Sequence, residues 1–346
     1  MEKIALILAG GRGERFWPLS TRKRPKQLLP LFSSRTLIEE TFNRLQLFLP
    51  TNNIYVVAPI DLLPAIKKIL SSLPATNFIG EPEGKNTAPA IAFAALSLRE
   101  KHPNATMGVF PADHYICDES AFLSDLDVAF KMATDNRLLT FGIPPTYPAT
   151  GFGYIELGPK IAPDVYEVAH FKEKPNQKEA QEYLKSGKYL WNSGMFVWKI
   201  DTIIDAFHKY APEFWPAMCE FIHHKDARTL YSSLPSISID YAIMEKARNV
   251  AVVKAHFTWN DIGAWRSLED IKPKTDTNVV VGDWVGIDSS DNIIYAEDGI
   301  IATVGVDNLI IVKSGNRVLV AHKDKDQEIK ELVALLANKK RYKQYL

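Results

Sequence analysis

Apolar and polar positions along the chain fall into blocks whose lengths separate strands from helices. Ile4-Ala5-Leu6-Ile7-Leu8 is a continuous apolar run, too short for a helix, and predicts a buried strand over 3–8. Helices are then predicted at about 36–48, 61–71 and 87–101, with strands at 53–58, 77–80 and 107–110 alternating with them. The third helix carries start chemistry, with Thr87 as N-cap and Pro89 in the first turn. Such alternation implies an α/β fold, a mostly parallel sheet with helices on both faces. Ligands of these sheets collect at the carboxyl ends of strands, where the loop after Leu8, Glu81 and Asp113 all fall.

From about 138 to 200 the pattern turns to strands punctuated by Gly and Pro, at 138–143, 153–157, 165–173 and 195–199, and reads as an inserted substrate-binding region. Helical stretches near 201–209, 212–223 and 238–247 follow, then a strand at 250–257 that leads to Asp261. Residues 277 to about 322 are short β-rich runs with little helical pattern. They suit a separate β domain, although their irregular spacing does not by itself establish a solenoid. In the last segment, 326–336, Ile329, Leu332, Val333 and Leu336 share one face of a closing helix, and Lys339, Lys340 and Arg341 lie at its carboxyl end. The expected division is a domain over 1–270 and a β-rich domain over 271–346.

A chain of 346 residues is long for one small core, consistent with a large domain plus an appendage. Its 41 basic and 41 acidic side chains cancel, so no global field recruits nucleic acid or an anionic membrane, and neither is expected as a partner. The first apolar run is too short to span a bilayer and meets glycines and charges, which points to a cytoplasmic protein. Cys117 and Cys219 lie far apart without metal-ligand spacing and read as inert.

Chemistry enters directly after the first strand, at Ala9-Gly10-Gly11-Arg12-Gly13-Glu14-Arg15, with Pro25-Lys26-Gln27 shortly after. Three glycines let the backbone approach a ligand, and their N–H groups can converge on phosphate oxygens. Arg15 and Lys26 add positive charge. A Walker loop requires Gly-Lys-Ser/Thr where this chain has Gly13-Glu14-Arg15, and the dinucleotide fingerprint requires a glycine where Phe16 stands. Both of those nucleotide-binding classes are therefore excluded. Arg12 reads equally as a phosphate contact or a solvated loop arginine, and Arg22, Lys23 and Arg24 as an exposed loop.

The segment from Leu8 to Ser20, followed by Pro25-Lys26-Gln27, resembles the signature of sugar-1-phosphate nucleotidyltransferases. Further matching segments are Glu81-Pro82 with Asn86-Thr87-Ala88-Pro89-Ala90, Pro111-Ala112-Asp113-His114, Thr150-Gly151-Phe152-Gly153-Tyr154-Ile155, Phe171-Lys172-Glu173-Lys174-Pro175, Trp191-Asn192-Ser193-Gly194-Met195-Phe196 and Trp259-Asn260-Asp261-Ile262-Gly263-Ala264-Trp265. The resemblance spans residues 1 to about 270. It implies a Rossmann-like sheet of GT-A type and, for the β-rich tail, a short left-handed β-helix. Trp17 and the Pro-Lys-Gln variant look most like members acting on GTP and mannose 1-phosphate, releasing pyrophosphate. Lys85, where an arginine is more usual, and Lys172, where an apolar residue is more usual, depart from the pattern.

Transfer of a nucleotidyl group to a sugar phosphate needs in-line attack by an oxygen that is already anionic, so no general base is called for; cations and alignment lower the barrier. Arg15 and Lys26 are expected to stabilise the triphosphate, beside Gly10, Gly11 and Gly13. Asp113 and Asp261 offer hard oxygen ligands for Mg²⁺. Taken alone each reads as a turn or cap residue, and the resemblance carries metal ligation onto both. Guanine presents adjacent N–H donors, so the Glu81 carboxylate suits it, and Asn86, Thr87 and Ala88 lie where they can meet base or ribose. Thr87 also reads simply as the N-cap. For the sugar phosphate, Glu173 supplies an acceptor and Lys174 a cation, which requires a bend before Pro175. Asn192, Gly151 and Gly153 resemble the remaining sugar contacts. Trp17, Trp191, Trp259 and Trp265 read as packing that holds the loops.

Two alternatives stand beside this reading: the same reaction with another sugar or base, and a non-catalytic nucleotide-sugar sensor. Longer relatives carry a further cupin domain with phosphomannose isomerase activity, not expected here. The resemblance also implies a homodimer assembled through the β-rich tail.

Overall fold

A computed structural model describes residues 1–346. The chain forms two compact units, one of Met1–Gly10, Thr41–Ala112 and Ile116–Trp259, the other of Gly11–Glu40, Asp113–Tyr115 and Asn260–Leu346. This grouping differs from a single cut at residue 270, because the glycine-loop segment and the residues after the fourth strand group with the C-terminal part.

The first ten strands in chain order are β1 Lys3–Leu8, β2 Ile54–Pro59, β3 Phe78–Glu81, β4 Thr106–Pro111, β5 Tyr115–Ile116, β6 Leu138–Ile143, β7 Tyr154–Ala162, β8 Val165–Lys172, β9 Tyr189–Lys199 and β10 Val250–Lys254. All of these but β5 form one sheet in the order β3-β2-β1-β4-β9-β6-β10-β8-β7. β1 to β4 pair in parallel, as the alternating pattern requires. β9 then runs antiparallel between β4 and β6. The segment read as an insertion thus extends the sheet itself instead of forming a separate lobe.

Four of the six residues of β1 and five of the six in β2 and β4 are buried, which accounts for their unbroken apolar runs. The helices along this part of the chain are α1 Leu37–Gln46, α2 Leu63–Ile69, α3 Thr87–Arg99, α4 Glu119–Met132, α5 Gln177–Ser186, α6 Ile200–Tyr210, α7 Trp215–His224 and α8 Ala227–Ser233. The core joins α3, through Ala88, Ile91, Ala95 and Leu98, to Phe196, Trp198, Phe207 and Phe214. α3 is buried nearly all round, hence its run of alanines. A π-helical turn, Asp240–Met244, follows α8.

Three short elements come next, β11 Trp259–Asn260, α9 Leu268–Ile271 and β12 Lys274–Thr275. Beyond them β13 Asn278–Ser290 pairs in parallel with β14 Ile293–Asp307, β14 in parallel with β15 Leu309–Ser314, and β15 antiparallel with β16 Arg317–His322. Parallel pairing of successive strands through short connections is the geometry of a β-solenoid. Its regularity lies in three turns that the run-by-run reading missed: Asn278-Val-Val-Val, Asn292-Ile-Ile-Tyr and Asn308-Leu-Ile-Ile. Asn278 and Asn292 are buried and linked, with the Asn292 amide donating to Asn278 Oδ1 at 3.1 Å and to the Val306 carbonyl at 3.1 Å. Leu309 N–H donates back to Asn292 Oδ1 at 2.9 Å.

The closing helix, α10, runs Ile329–Asn338. Ile329, Val333 and Leu336 pack into the core of this unit with Phe16, Trp17, Trp265 and Tyr295. Leu332, expected on the same face, is 37% exposed. Ile329 is buried and Val333 and Leu336 half-buried along the packed stripe, and Leu332 lies at its edge.

Candidate active site

The residues of the glycine loop do unequal things. Gly13 adopts φ +62°, and a Cβ there would lie 2.2 Å from Lys26 Cβ, so no other residue fits. Gly11 has open space around the position of its absent Cβ, and Gly10 would meet only Glu81 Oε2 at an ordinary 3.4 Å. Ser20 Oγ donates to the Gly13 carbonyl at 2.7 Å, fixing the turn onto which Lys26 folds.

Lys26 begins a short 3₁₀ turn after Pro25 and is 6% exposed. Its Nζ donates to Asp113 Oδ2 at 2.8 Å and to the main-chain carbonyl of Asp261 at 2.6 Å. Three residues separated by up to 235 positions in sequence therefore meet at one ammonium group. Arg15 NH1 reaches the Gly263 carbonyl at 3.4 Å, and its buried Nε has no partner. Ile262 at φ +46° and the Asn260 side chain, which accepts from Ile262 N–H at 2.7 Å, shape the turn that carries Asp261. Trp265 is fully buried, packs at 5.1 Å against Phe16 and donates to the Trp17 carbonyl. Trp17 and Trp265 pack, as expected.

Burial raises the pKa of Asp113, but the Lys26 charge, His114 and the Lys26 hydrogen bond outweigh it and leave it below the ordinary range. For Asp261 the balance is reversed: burial, with the Asp113 charge beside it, outweighs Lys26 and Arg15 and raises it. A cation bound near both would keep both ionised. No third His, Cys, Asp or Glu joins them as a metal group. The pair therefore suits a hard cation that takes its remaining ligands from substrate oxygens and water.

The expected base-binding residues lie in the other unit. Glu81 ends β3 at 3% exposure, and the Tyr231 hydroxyl donates to its Oε1 at 2.9 Å. Burial pushes the Glu81 carboxyl up to about 7 against the lowering effect of that hydrogen bond. Asn86, not Thr87, is the N-cap of α3, at φ +73° with its Oδ1 accepting from Thr87 N–H at 2.8 Å. Thr87 Oγ1 instead accepts from Ile239 N–H at 2.9 Å, and Ala88 N–H donates to the Ile237 carbonyl at 3.2 Å. The helix start is thus bound to residues 237–239, and the Ala88 N–H is already committed. Lys85 Nζ donates to the carbonyls of Tyr231, in the last turn of α8, and of Leu234, which caps its carboxyl end.

Glu173, Asn192 and Gly153 converge in the same unit. A Cβ on Gly153 would lie 2.4 Å from Glu173 Oε2 and would push that carboxylate aside, whereas Gly151 has open space. Lys174 adopts φ +48°, the expected bend, and its Nζ lies 3.1 Å from Glu173 Oε1. Asn192 is 8% exposed and internally engaged: Oδ1 accepts from Thr140 Oγ1 at 3.1 Å, and Nδ2 donates to Asp240 Oδ1 at 2.8 Å. Burial and the neighbouring Glu173 charge push Asp240 up to about 6. Phe152, between Gly151 and Gly153, packs against Trp191 and Trp259 at 5.1 and 5.3 Å. Tyr231 and Asp240 were not among the expected site residues. No local motif marks either one, and only their partners in space give them a role.

The model of the Nucleotidyl transferase family matches residues 4–278, and that of the MannoseP isomerase/GMP-like beta-helix domain matches 282–336. Mannose-1-phosphate guanylyltransferase RfbM of Salmonella typhimurium is 39% identical over 100% of this chain and 75% of its own length. A mannose-1-phosphate guanylyltransferase of Escherichia coli is 35% identical over 99% of this chain and 78% of its own. A crystal structure from Thermus thermophilus, described as a mannose-1-phosphate geranyltransferase, superposes with a TM-score of 0.92 at 36% identity, covering 97% of this chain and all of that one. With glycine loop, buried lysine and paired aspartates in place, the chain belongs to the nucleotidyl transferases and, among them, to the mannose-1-phosphate guanylyltransferase family.

Proposed function

We propose that the chain transfers GMP from GTP to mannose 1-phosphate, forming GDP-mannose and pyrophosphate. The observation that carries this reading is the meeting of Asp113 and the Asp261 carbonyl at Lys26 Nζ, in a chain whose relatives are mannose-1-phosphate guanylyltransferases. A phosphate oxygen of the sugar phosphate attacks the α-phosphorus in line, the bond to the bridging oxygen breaks, and pyrophosphate leaves with the electron pair. The nucleophile is already an anion, so no base is required. Arg15 and Lys26 neutralise charge that grows on the phosphoryl oxygens, at roughly 4 kcal/mol for a charge pair about 4 Å apart at an effective dielectric near 20, before desolvation is deducted.

Asp113 and Asp261 would hold Mg²⁺, which when bound supplies further charge neutralisation on the phosphates. Glu81 accepts hydrogen bonds from the guanine edge. Gly10, Gly11 and Gly13 shape the phosphate loop, and Asn86 and Thr87 offer polar atoms to base or ribose. Glu173 accepts from sugar hydroxyls, with Asn192 holding Asp240 beside it, and Lys174 meets the 1-phosphate.

The homodimer belongs to this proposal as well. Along β13 and β14, Ile287 pairs with Val304 and Val285 with Ala302, and Val285, Ile287, Ile300 and Val304 are 54–71% exposed. This aliphatic ladder suits a second copy of a chain whose formal net charge is +0, since two copies carry no net repulsion. A cytoplasmic location fits a biosynthetic nucleotidyltransferase; no helix is long and apolar enough to cross a membrane.

A pyrophosphate-release assay across nucleoside triphosphates and sugar 1-phosphates tests the reading. GTP with mannose 1-phosphate is expected to have the highest kcat/KM. Preference for UTP, dTTP or glucose 1-phosphate would overturn the substrate assignment. Ligand binding without any pyrophosphate would favour the sensor.

A further inference from the structure

Glu81 is a buried carboxylate with an unusual set of neighbours. No cation pairs with it. Glu83 and Lys85, on the loop after β3, pair with each other at 2.9 Å, Gly10 carries no charge, and the one titratable group bonded to Glu81 is Tyr231 from α8. The Tyr231 ring is 1% exposed, edge-on to Phe93 at 5.6 Å, and its main-chain carbonyl is gripped by Lys85 Nζ. The hydroxyl therefore has little freedom except to donate to Glu81 Oε1, which leaves Oε2 directed toward Gly10.

We propose that Tyr231 is a positioning residue for base choice: its hydroxyl donates to Glu81 Oε1 and so presents Oε2 as an ionised acceptor. The inference rests on the reading of Glu81 as the group that meets the base. A carboxylate matches the adjacent N1–H and N2–H donors of guanine, whereas adenine presents an acceptor at N1 beside its N6 donor. A protonated Glu81 carries its proton on Oε2, because Oε1 is already engaged as acceptor. It then offers one donor and matches adenine better. Burial and the Glu81 charge push ionisation of the Tyr231 phenol far up, so the hydroxyl remains a donor through the working pH range. Glu81 itself titrates near neutrality, and Tyr231 is the contact that lowers it. Tyr231 thus holds the carboxylate in the state that reads guanine.

The test is the pH dependence of pyrophosphate release, from about pH 6 to about 8.5, with GTP and ATP as alternative donors, for the wild type, Tyr231→Phe and Glu81→Gln. In the wild type, kcat/KM for GTP should fall on the acid side of about pH 7, and the preference for GTP over ATP should fall with it. Tyr231→Phe should move that limb up by about one pH unit, raise KM for GTP about fivefold at neutral pH, and leave kcat and KM for mannose 1-phosphate within about twofold. Placing 3-fluorotyrosine at position 231, which keeps the shape and strengthens the donor, should move the limb down; this arm stands even where the phenylalanine variant fails to fold. A limb unmoved by both changes overturns the role of Tyr231. So does a rise of both KM values together. An unchanged GTP preference in Glu81→Gln overturns the base-acceptor reading, and the inference with it, while a changed preference there with Tyr231→Phe silent removes Tyr231 alone.

Discussion

At the residue scale the decisive side chains are those whose chemistry is set by burial. Lys26 bridges Asp113 and the Asp261 carbonyl with little solvent around it, so its charge is screened much less than in bulk water. Lys26→Met is expected to lower kcat by about 10²- to 10³-fold. Asp113→Asn and Asp261→Asn should each abolish Mg²⁺-dependent pyrophosphate release while circular dichroism reports an intact fold; unchanged turnover in both would remove the metal assignment. Gly13→Ala forces a side chain to φ +62° and into Lys26, and should cost about 1–3 kcal/mol in denaturant melts together with most of the activity. Glu81 makes a pH prediction for the unliganded protein. Its folded value of about 7 lies above the usual 4.5, so between those values the folded state binds more protons than the unfolded one. Stability must therefore fall as pH rises through that window, by about 3 kcal/mol in all. Glu81→Gln should flatten this slope in urea melts taken at several pH values.

At the scale of elements, the strands and helices of the first hundred residues follow from pattern alone, because β1, β2 and β4 are buried on both faces and α3 nearly all round. The cap of α3 was less legible. Asn and Thr at 86 and 87 are both good caps, and the choice fell to Asn86 because Thr87 Oγ1 is drawn to Ile239 N–H. In the solenoid, periodicity was hidden by unequal turns, whereas an asparagine marks each one, buried at 278 and 292 and half-buried at 308. Asn292→Ala removes its bonds to Asn278, Val306 and Leu309 and should cost about 2–4 kcal/mol, read as an earlier transition in thermal unfolding. An unshifted transition would show the ladder to be dispensable.

At the scale of the whole molecule, the aliphatic ladder on β13 and β14 carries the assembly prediction. Ile287→Lys combined with Val304→Glu should convert a dimer into a monomer in light scattering after gel filtration, with each unit still folded. The sequence by itself determined the fold class, the glycine loop and the list of charged residues able to handle phosphates, since strand and helix periods and glycine chemistry are local properties of the chain. It also offered Glu81, Glu173 and Asn192, each inside a short segment with recognisable neighbours. Their present partners follow from contacts across long stretches of chain: Tyr231 on Glu81, Asp240 on Asn192, and Asp113 with Asp261 at Lys26. Hydrogen bonds and charges act through distance in space, and burial sets their strength, so neither the partners nor the shifted proton affinities exist until the chain has folded.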